Sequence, residues 1–274
     1  MPTTTDKVVI LARGQGTRMR AEDGAASLDP RQAAVAATGV KALMPLADRP
    51  FLDYLLSTLA DAGCRRVCLV IGPEHQAIRD YYTQGVSLQR LSIEFAIQEE
   101  PQGTADAVSA AADFAGNDPF LMLNSDNFYP LEACQALLGL SGPGVALFER
   151  DALLAGSNIP AERIAKFALG EVDSGGCLRK ILEKPDAEAL ARLTPPLWVS
   201  MNCYRFGPSI FWACRSIPRS PRGEFELTAA VQYAIDVLGE KFRVVPLHAP
   251  VLDLTGRRDI AALEARLAGM EVRL

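Results

Sequence analysis

Histidine is nearly absent from this 274-residue chain, which carries only His75 and His248. None of its six cysteines forms a C-x-x-C pair: Cys64 and Cys68 are separated by three residues, and Cys134, Cys177, Cys203 and Cys214 are scattered. The Cys and His spacings of a zinc site are therefore missing, and the thiols read as isolated buried groups of a reducing compartment. A basic excess is missing too. The formal net charge of −5 and a pI near 5.2 argue against a general nucleic-acid binder. Local clusters such as Arg18/Arg20 and Arg257/Arg258 suit small anions instead. No apolar run approaches the ~20 residues of a membrane span, and the Val8–Ala12 run is strand-length rather than the core of a signal peptide. The expected setting is the cytoplasm, with neither nucleic acid nor membrane as partner.

What is present is enough apolar material, 49% of residues, for one large core or two modest ones. Strand-like runs alternate with helical patterns through the first half: strand 7–12, helix 51–63, strand 65–72, a short helix near 74–82, strand 91–98, helix 104–115 and strand 119–125. That alternation predicts an α/β fold with parallel strands covered by helices on both faces. The second half is less regular. Strands are expected at Val145–Glu149, Arg163–Leu169, Leu178–Leu182, Trp198–Phe206 and 242–247, with helices at Pro208–Cys214, Phe225–Leu238 and from about Arg257. No repeat or low-complexity linker divides the chain. The Ala-rich segment 21–39 is an oddity. A helix over Ser27–Thr38, capped by Ser27 or Asp29 and ended by Gly39, would make it a lid, an oligomer contact or a plain surface insertion.

The stretch VVILARGQGTRMR, Val8 to Arg20, carries the first chemical signal. A P-loop needs Lys-Ser or Lys-Thr after its last glycine, and none follows Gly14 or Gly16. A dinucleotide fingerprint needs a third glycine where Met19 stands, and an acidic residue closing the second strand, where Glu74 comes only after the turn. Two readings remain. In one, a glycine turn presents backbone N–H groups to a triphosphate that the Arg18 guanidinium grips in bidentate fashion. In the other, it is an ordinary strand-to-loop turn with solvated arginines.

Read with the blocks that follow, LARGQGTRM resembles the signature of the sugar-nucleotide pyrophosphorylases, nucleotidyltransferases acting on sugar 1-phosphates. KALMPLADRPFLDYLL matches the family's lysine-bearing segment and helix, QEEPQGTADAV its base-binding segment, and LNSDNFYP its strand-end metal aspartate. Glu183-Lys184-Pro185 and VLDLTGRRDI complete the series. The six blocks arise in the family's order and span residues 8–260.

The resemblance implies a mixed, mostly parallel Rossmann-like sheet flanked by helices, of the nucleotidyltransferase (glycosyltransferase-A-like) architecture. One domain, 1–274, would hold a nucleotide-binding lobe at about 1–130 and a sugar-phosphate lobe at about 131–274. The implied reaction is attack of a sugar 1-phosphate oxygen on the α-phosphorus of a nucleoside triphosphate, giving an NDP-sugar and pyrophosphate. Such chemistry needs positioning and charge neutralisation rather than a protein nucleophile. By resemblance, Asp126 and Asp253 hold Mg2+ against the phosphates. Arg18 braces the departing pyrophosphate, with Leu11, Ala12, Gly14, Gly16 and Thr17 forming the nucleotide cradle. Lys41 stabilises charge near the α-phosphate. Gln98, Gly103 and Thr104 line the base pocket, while Glu183, Lys184 and Asn202 serve the sugar phosphate. A homo-oligomer is compatible with the family, and no appended β-helix domain is expected.

Each assignment has a plainer rival: a capping role for Asp126 or Asp253, solvent exposure for Lys41 and Lys184, a strand end for Gln98, a buried amide for Asn202. Two departures stand out. Arg13 occupies a position the family gives to glycine or alanine, and is expected either to pair with Glu22 or Asp23 or to add a charge beside the nucleotide. Asn202 replaces a glycine, narrowing the space near the sugar. The pattern leaves ATP, dTTP, UTP and GTP open. It also leaves open a non-catalytic sugar-nucleotide sensor, although Arg18, Lys41, Asp126, Lys184 and Asp253 are all present. A glycosyltransferase would carry an Asp-x-Asp pair where NSDNF has one aspartate.

Overall fold

The N-terminal apolar run forms the Lys7–Leu11 strand, and both its faces are buried. Val8 and Ile10 face one core and Val9 another, as a strand in the interior of a helix-flanked parallel sheet requires. In the computed structural model, which describes residues 5–183, 185 and 193–274, this strand lies between Arg66–Ile71 and Phe120–Asn124. It pairs in parallel with both, and Ser92–Ile97 extends the parallel set beyond Arg66–Ile71.

On the other side the sheet becomes antiparallel. Trp198–Phe206 pairs with Phe120–Asn124 through Tyr204–Phe206, with Leu169–Val172 through Trp198 and Val199, and with Gly144–Glu149 along its length. Leu178–Leu182 closes that edge, and Arg243–Leu247 runs parallel to Gly144–Glu149. Among the described residues the sheet has nine strands: Phe120–Asn124, Lys7–Leu11, Arg66–Ile71 and Ser92–Ile97 run parallel out to one edge, and the join to Trp198–Phe206 is antiparallel. The chain's two halves are thus joined by one continuous sheet rather than packed as separate units.

Helices cover both faces. Phe51–Ala62 and Leu131–Leu138 pack on the Val8 side, and Thr104–Ala110, Ser209–Ser216 and Leu227–Asp236 on the Val9 side. Phe51–Ala62 is buried almost all round, consistent with a helix lying between two cores. Gly63 ends it in the left-handed region, with the Cys64 amide donating back to the Leu59 carbonyl at 2.9 Å. Two helices that sequence periodicity did not suggest are present, Leu131–Leu138 and Arg150–Gly156. The strand expected at Arg163–Leu169 is instead a short helix, Ala161–Ile164, followed by a strand beginning at Leu169. Pro160 precedes that helix and pre-sets its first turn.

A third, smaller core gathers Met19, Met44, Phe51 and Leu252 with the C-terminal helix Asp259–Leu267, and segment 21–39 belongs to it. Its helix is Pro30–Thr38, capped by Asp29 in a reciprocal capping box with Gln32 and ended by Gly39 at φ 78°. Gln32 also donates to Glu264 of the C-terminal helix at 2.8 Å. Asp23 is held by Arg258, and the Arg257 side chain donates to the Met19 carbonyl at 3.0 Å. The segment is therefore docked along its length against the chain's last elements. No described helix is long and apolar enough to cross a membrane.

Candidate nucleotide and sugar-phosphate site

The parallel strands end at one edge of the sheet, and the loops leaving them enclose a cavity of about 340 Å³. Ligands of open α/β sheets sit outside these carboxyl ends. Leu11, Ala12, Gly14, Lys41, Gln98, Gly103, Thr104 and Asp126 all line it, together with Arg13, Pro101 and Glu224. Gly16 stands behind the wall. Its φ is 60°, and a Cβ there would lie 2.1 Å from the Gly39 carbonyl oxygen, so both backbone shape and close approach demand glycine. This contact returns the 21–39 segment to the glycine loop, and the Lys41 amide then donates to Gly39 at 2.9 Å. Lys41 is thereby delivered to Asp126, whose carboxylate accepts from its ammonium. Thr17 and Arg18 lie on an exposed single helical turn, Thr17–Arg20. Arg18 lines a second cavity rather than the first.

That second cavity, of about 380 Å³, shares Asn124 and Asp126 with the first. Asp253, Glu183, Asn202, Arg163, Lys166 and Arg222 also line it. Lys184 lies outside the described residues. Asp253 reaches the site because its two-residue strand pairs with Asn127–Phe128. The Leu254 amide donates to the Asp126 carbonyl at 2.8 Å, and the Asn127 side-chain amide donates to the Asp253 carboxylate at 3.0 Å. Asn158 grips the Asp253 backbone from both sides, and Arg163 bridges Asp253 and Asp259, each at 3.3 Å. Burial, and then the charge of Asp126 beside it, push the Asp253 carboxyl up to about 6. Asp126 and Asp253, each paired with a basic side chain, Lys41 and Arg163, line the same cavity. Among the described residues no three Asp, Glu, His or Cys side chains form a metal cage. A magnesium ion here would draw its remaining ligands from substrate phosphates and water, the usual arrangement for that cation. The donor set fits it.

Asn202 interrupts the long Trp198–Phe206 strand at a bulge between Ser200 and Tyr204, with φ 54°. Tyr129, three residues beyond Asp126, donates to the Met201 carbonyl at 2.7 Å and ties the bulge to the Asp126 loop. Gln98 donates to the Gly103 carbonyl at 3.0 Å and to the Asp106 carboxylate at 2.8 Å. Its amide oxygen is left for the cavity. The Thr104 hydroxyl accepts from the Leu227 amide at 2.9 Å, so its role at the wall is to anchor the following loop.

Arg13 pairs with neither Glu22 nor Asp23. Its side chain runs the other way, over Gly72, donating to the Glu99 carbonyl at 2.9 Å with Glu74 at 3.5 Å. Sequence reading did not single out Arg163, Lys166, Arg222, Asn127 or Asn158. The charged run RGEFE holding Arg222 was the one visible signal, and it has no meaning until the loop is seen to bridge the cavities.

A mixed α/β sheet flanked by helices, with two adjoining cavities lined by charges of both signs at the carboxyl edge of its parallel strands, defines the class of fold. The Nucleotidyl transferase family profile matches residues 7–245, and the chain belongs to this family. It is 30% identical over 244 residues to the low-salt glycan biosynthesis nucleotidyltransferase Agl11 of Haloferax volcanii, covering 84% of this chain and 59% of that protein. It is 31% identical over 233 residues to a glucose-1-phosphate thymidylyltransferase of Streptomyces griseus, covering 84% and 57%. The chain thus spans less than two thirds of the length of these relatives. A UDP-glucose pyrophosphorylase solved with UDP-glucose superposes with a TM-score of 0.74 at 18% identity, covering 97% of this chain and 99% of that one, a likeness of fold.

Proposed function

We propose that the chain transfers a nucleotidyl group from a nucleoside triphosphate to a sugar 1-phosphate, releasing pyrophosphate. The observation that carries this reading is that Asp126 stands in the wall shared by two adjoining cavities. A carboxylate there lies between a nucleotide in the first and a sugar phosphate in the second. The phosphate oxygen of the sugar forms a new bond to the α-phosphorus. The bond from that phosphorus to the bridging oxygen breaks, and its electron pair leaves with pyrophosphate. Lys41 neutralises charge beside the α-phosphate, and Arg18, which lines the second cavity, adds a cation on the side where the sugar phosphate enters. Glu183 and Asn202 meet the sugar, with Arg222 as an added cation for its phosphate. Asp126 and Asp253 would hold magnesium, which when bound neutralises phosphate charge. The relatives named for thymidylyl and uridylyl transfer favour dTTP or UTP over ATP.

Pyrophosphate release tests this, using UTP, dTTP, GTP, ATP and CTP against a panel of hexose 1-phosphates with magnesium. Turnover with one pair, lowered by about 10²-fold or more in Asp126→Asn, is the expected outcome. Silence across the panel with nucleotide-sugar binding still seen by thermal shift would replace the transferase with the sensor reading.

A further inference from the structure

Arg163 has no part in the transfer step, yet the chain around it is built onto Asp253. Segment 158–163 reaches that aspartate twice. Asn158 donates to the Asp253 carbonyl at 2.8 Å and accepts from its amide at 2.9 Å, which fixes the backbone. Five residues on, the helical turn Ala161–Ile164, preceded by Pro160 and seated by the buried Ile164, delivers the Arg163 guanidinium to the side chain. Its Nη2 lies 3.3 Å from Asp253 Oδ1 and 3.3 Å from Asp259 Oδ1, while Nη1 donates to Asp259 Oδ2 at 3.4 Å. All three side chains are mostly buried, with Arg163 17% exposed, Asp253 9% and Asp259 11%.

A pair with Asp259 alone would already satisfy a bidentate guanidinium. Asp259 is itself fixed, because its Oδ2 accepts from the Thr255 amide at 2.9 Å and the Gly256 amide at 2.7 Å, ahead of the C-terminal helix. That fixed carboxylate holds the fork of Arg163, and the fork leans on Asp253. Oδ1 of Asp253 accepts from the Thr255 hydroxyl besides facing Arg163, whereas Oδ2 accepts from the Asn127 amide. A carboxylate has about four acceptor sites. Engaging Oδ1 twice sets the plane of the group, and Oδ2 keeps capacity for a cation. Charge alone argues the other way, since a guanidinium beside a cation site repels the cation. Positioning and repulsion thus act on cation affinity with opposite signs.

We infer that Arg163 is a positioning residue of the cation site, holding the Asp253 carboxylate in the orientation that takes a divalent ion together with Asp126. The inference rests on the reading of Asp126 and Asp253 as that site. Its test is Mn2+ binding to the whole chain, followed by loss of the free-ion paramagnetic resonance signal, with neither nucleotide nor sugar phosphate added. Wild-type binding should disappear in Asp126→Asn. Arg163→Met, which keeps most of the stem but not the fork, should weaken it about tenfold or more, as loss of a group that orients a metal ligand commonly does. Arg163→Lys keeps the charge without the fork, and should recover part of that loss while staying about threefold or more weaker than the wild type. Lys166→Met removes an exposed positive charge from the same cavity and should leave the affinity within about threefold. Circular dichroism and the thermal midpoint confirm that the variants fold, and Arg163→Lys carries the comparison if Arg163→Met does not. Binding in Arg163→Met as tight as the wild type or tighter, full recovery in Arg163→Lys, or an equal loss in Lys166→Met overturns the inference and leaves the cation site in place. No wild-type binding, or binding that survives in Asp126→Asn, ends the cation site and the inference together. Binding of Mn2+ that depends on Arg163, without any pyrophosphate release, upholds the inference while the transferase reading fails.

Discussion

Asn202 shows how a single backbone angle decides a residue type. At φ 54° an ordinary side chain pays roughly 1–2 kcal/mol, glycine nothing, and asparagine little, because its short amide tolerates the left-handed region. A glycine-to-asparagine exchange at this point of the family pattern is therefore conservative for the backbone, though it adds a side chain to the second cavity. Asn202→Gly should hold stability within about 1 kcal/mol and enlarge that cavity. Asn202→Val, branched at Cβ and confined to negative φ, should cost about 2 kcal/mol. Urea unfolding of the two variants checks this, and equal losses would mean that the bulge relaxes. The motif blocks made Asn202 visible as an anomaly, yet the angle that explains it is set by the bulge against Gly144–Glu149, which no local pattern records. Arg13 was legible in the same incomplete way. Its oddity could be read from the glycine loop, but its partners, Glu99 and Glu74, lie 86 and 61 residues away.

At the scale of elements, local chemistry and long-range packing divide the credit. Trp198–Phe206 was legible to the residue because it is rich in aromatic and branched residues and stops at Gly207-Pro208, while Leu178–Leu182 matches its expected bounds although its apolar positions do not alternate. Leu131–Leu138 was not legible, since its apolar face is short and is completed by Phe51–Ala62 on the same side of the sheet. The Arg163–Leu169 error has a similar origin. Ile164 and Leu169 are both buried, but they belong to a helix and a strand with a turn between them. The Pro30–Thr38 helix is the opposite case, with Asp29, Pro30, Gln32 and Gly39 all speaking for the same nine residues. Asp29→Ala should cost about 1 kcal/mol, because the Gln32 amide loses its acceptor. Since Gln32 also reaches Glu264, hydrogen exchange should quicken in both Pro30–Thr38 and Asp259–Leu267. Exchange that changes in the first helix alone would show that the segment is capped but not docked.

For the molecule as a whole, the question is how two cavities built from both halves of the chain keep their register. One sheet supplies the frame, and residues 218–228 supply the bridge. The Phe225 amide donates to the Gln102 carbonyl at 2.8 Å, the Ala105 amide to the Phe225 carbonyl at 2.9 Å, and Arg219 stacks on the Phe225 ring. The same bridge places Glu224 in the first cavity and Arg222 and Thr228 in the second. Gly103 is the point of closest approach: its φ is 116°, and a Cβ would lie 2.5 Å from the Phe225 carbonyl oxygen and 2.7 Å from its nitrogen. These are backbone atoms, so the strain cannot be relieved by turning a side chain. Gly103→Ala must push the bridge outward, moving Arg222 as well as the wall of the first cavity. The expected result is a rise in KM for both the nucleotide and the sugar phosphate, on the order of tenfold each, since small misplacements of positioning groups are costly. Steady-state kinetics with each substrate varied in turn separates the two effects. A rise confined to the nucleotide would mean that the wall of the first cavity yields alone, and that the bridge does not carry its displacement into the second cavity.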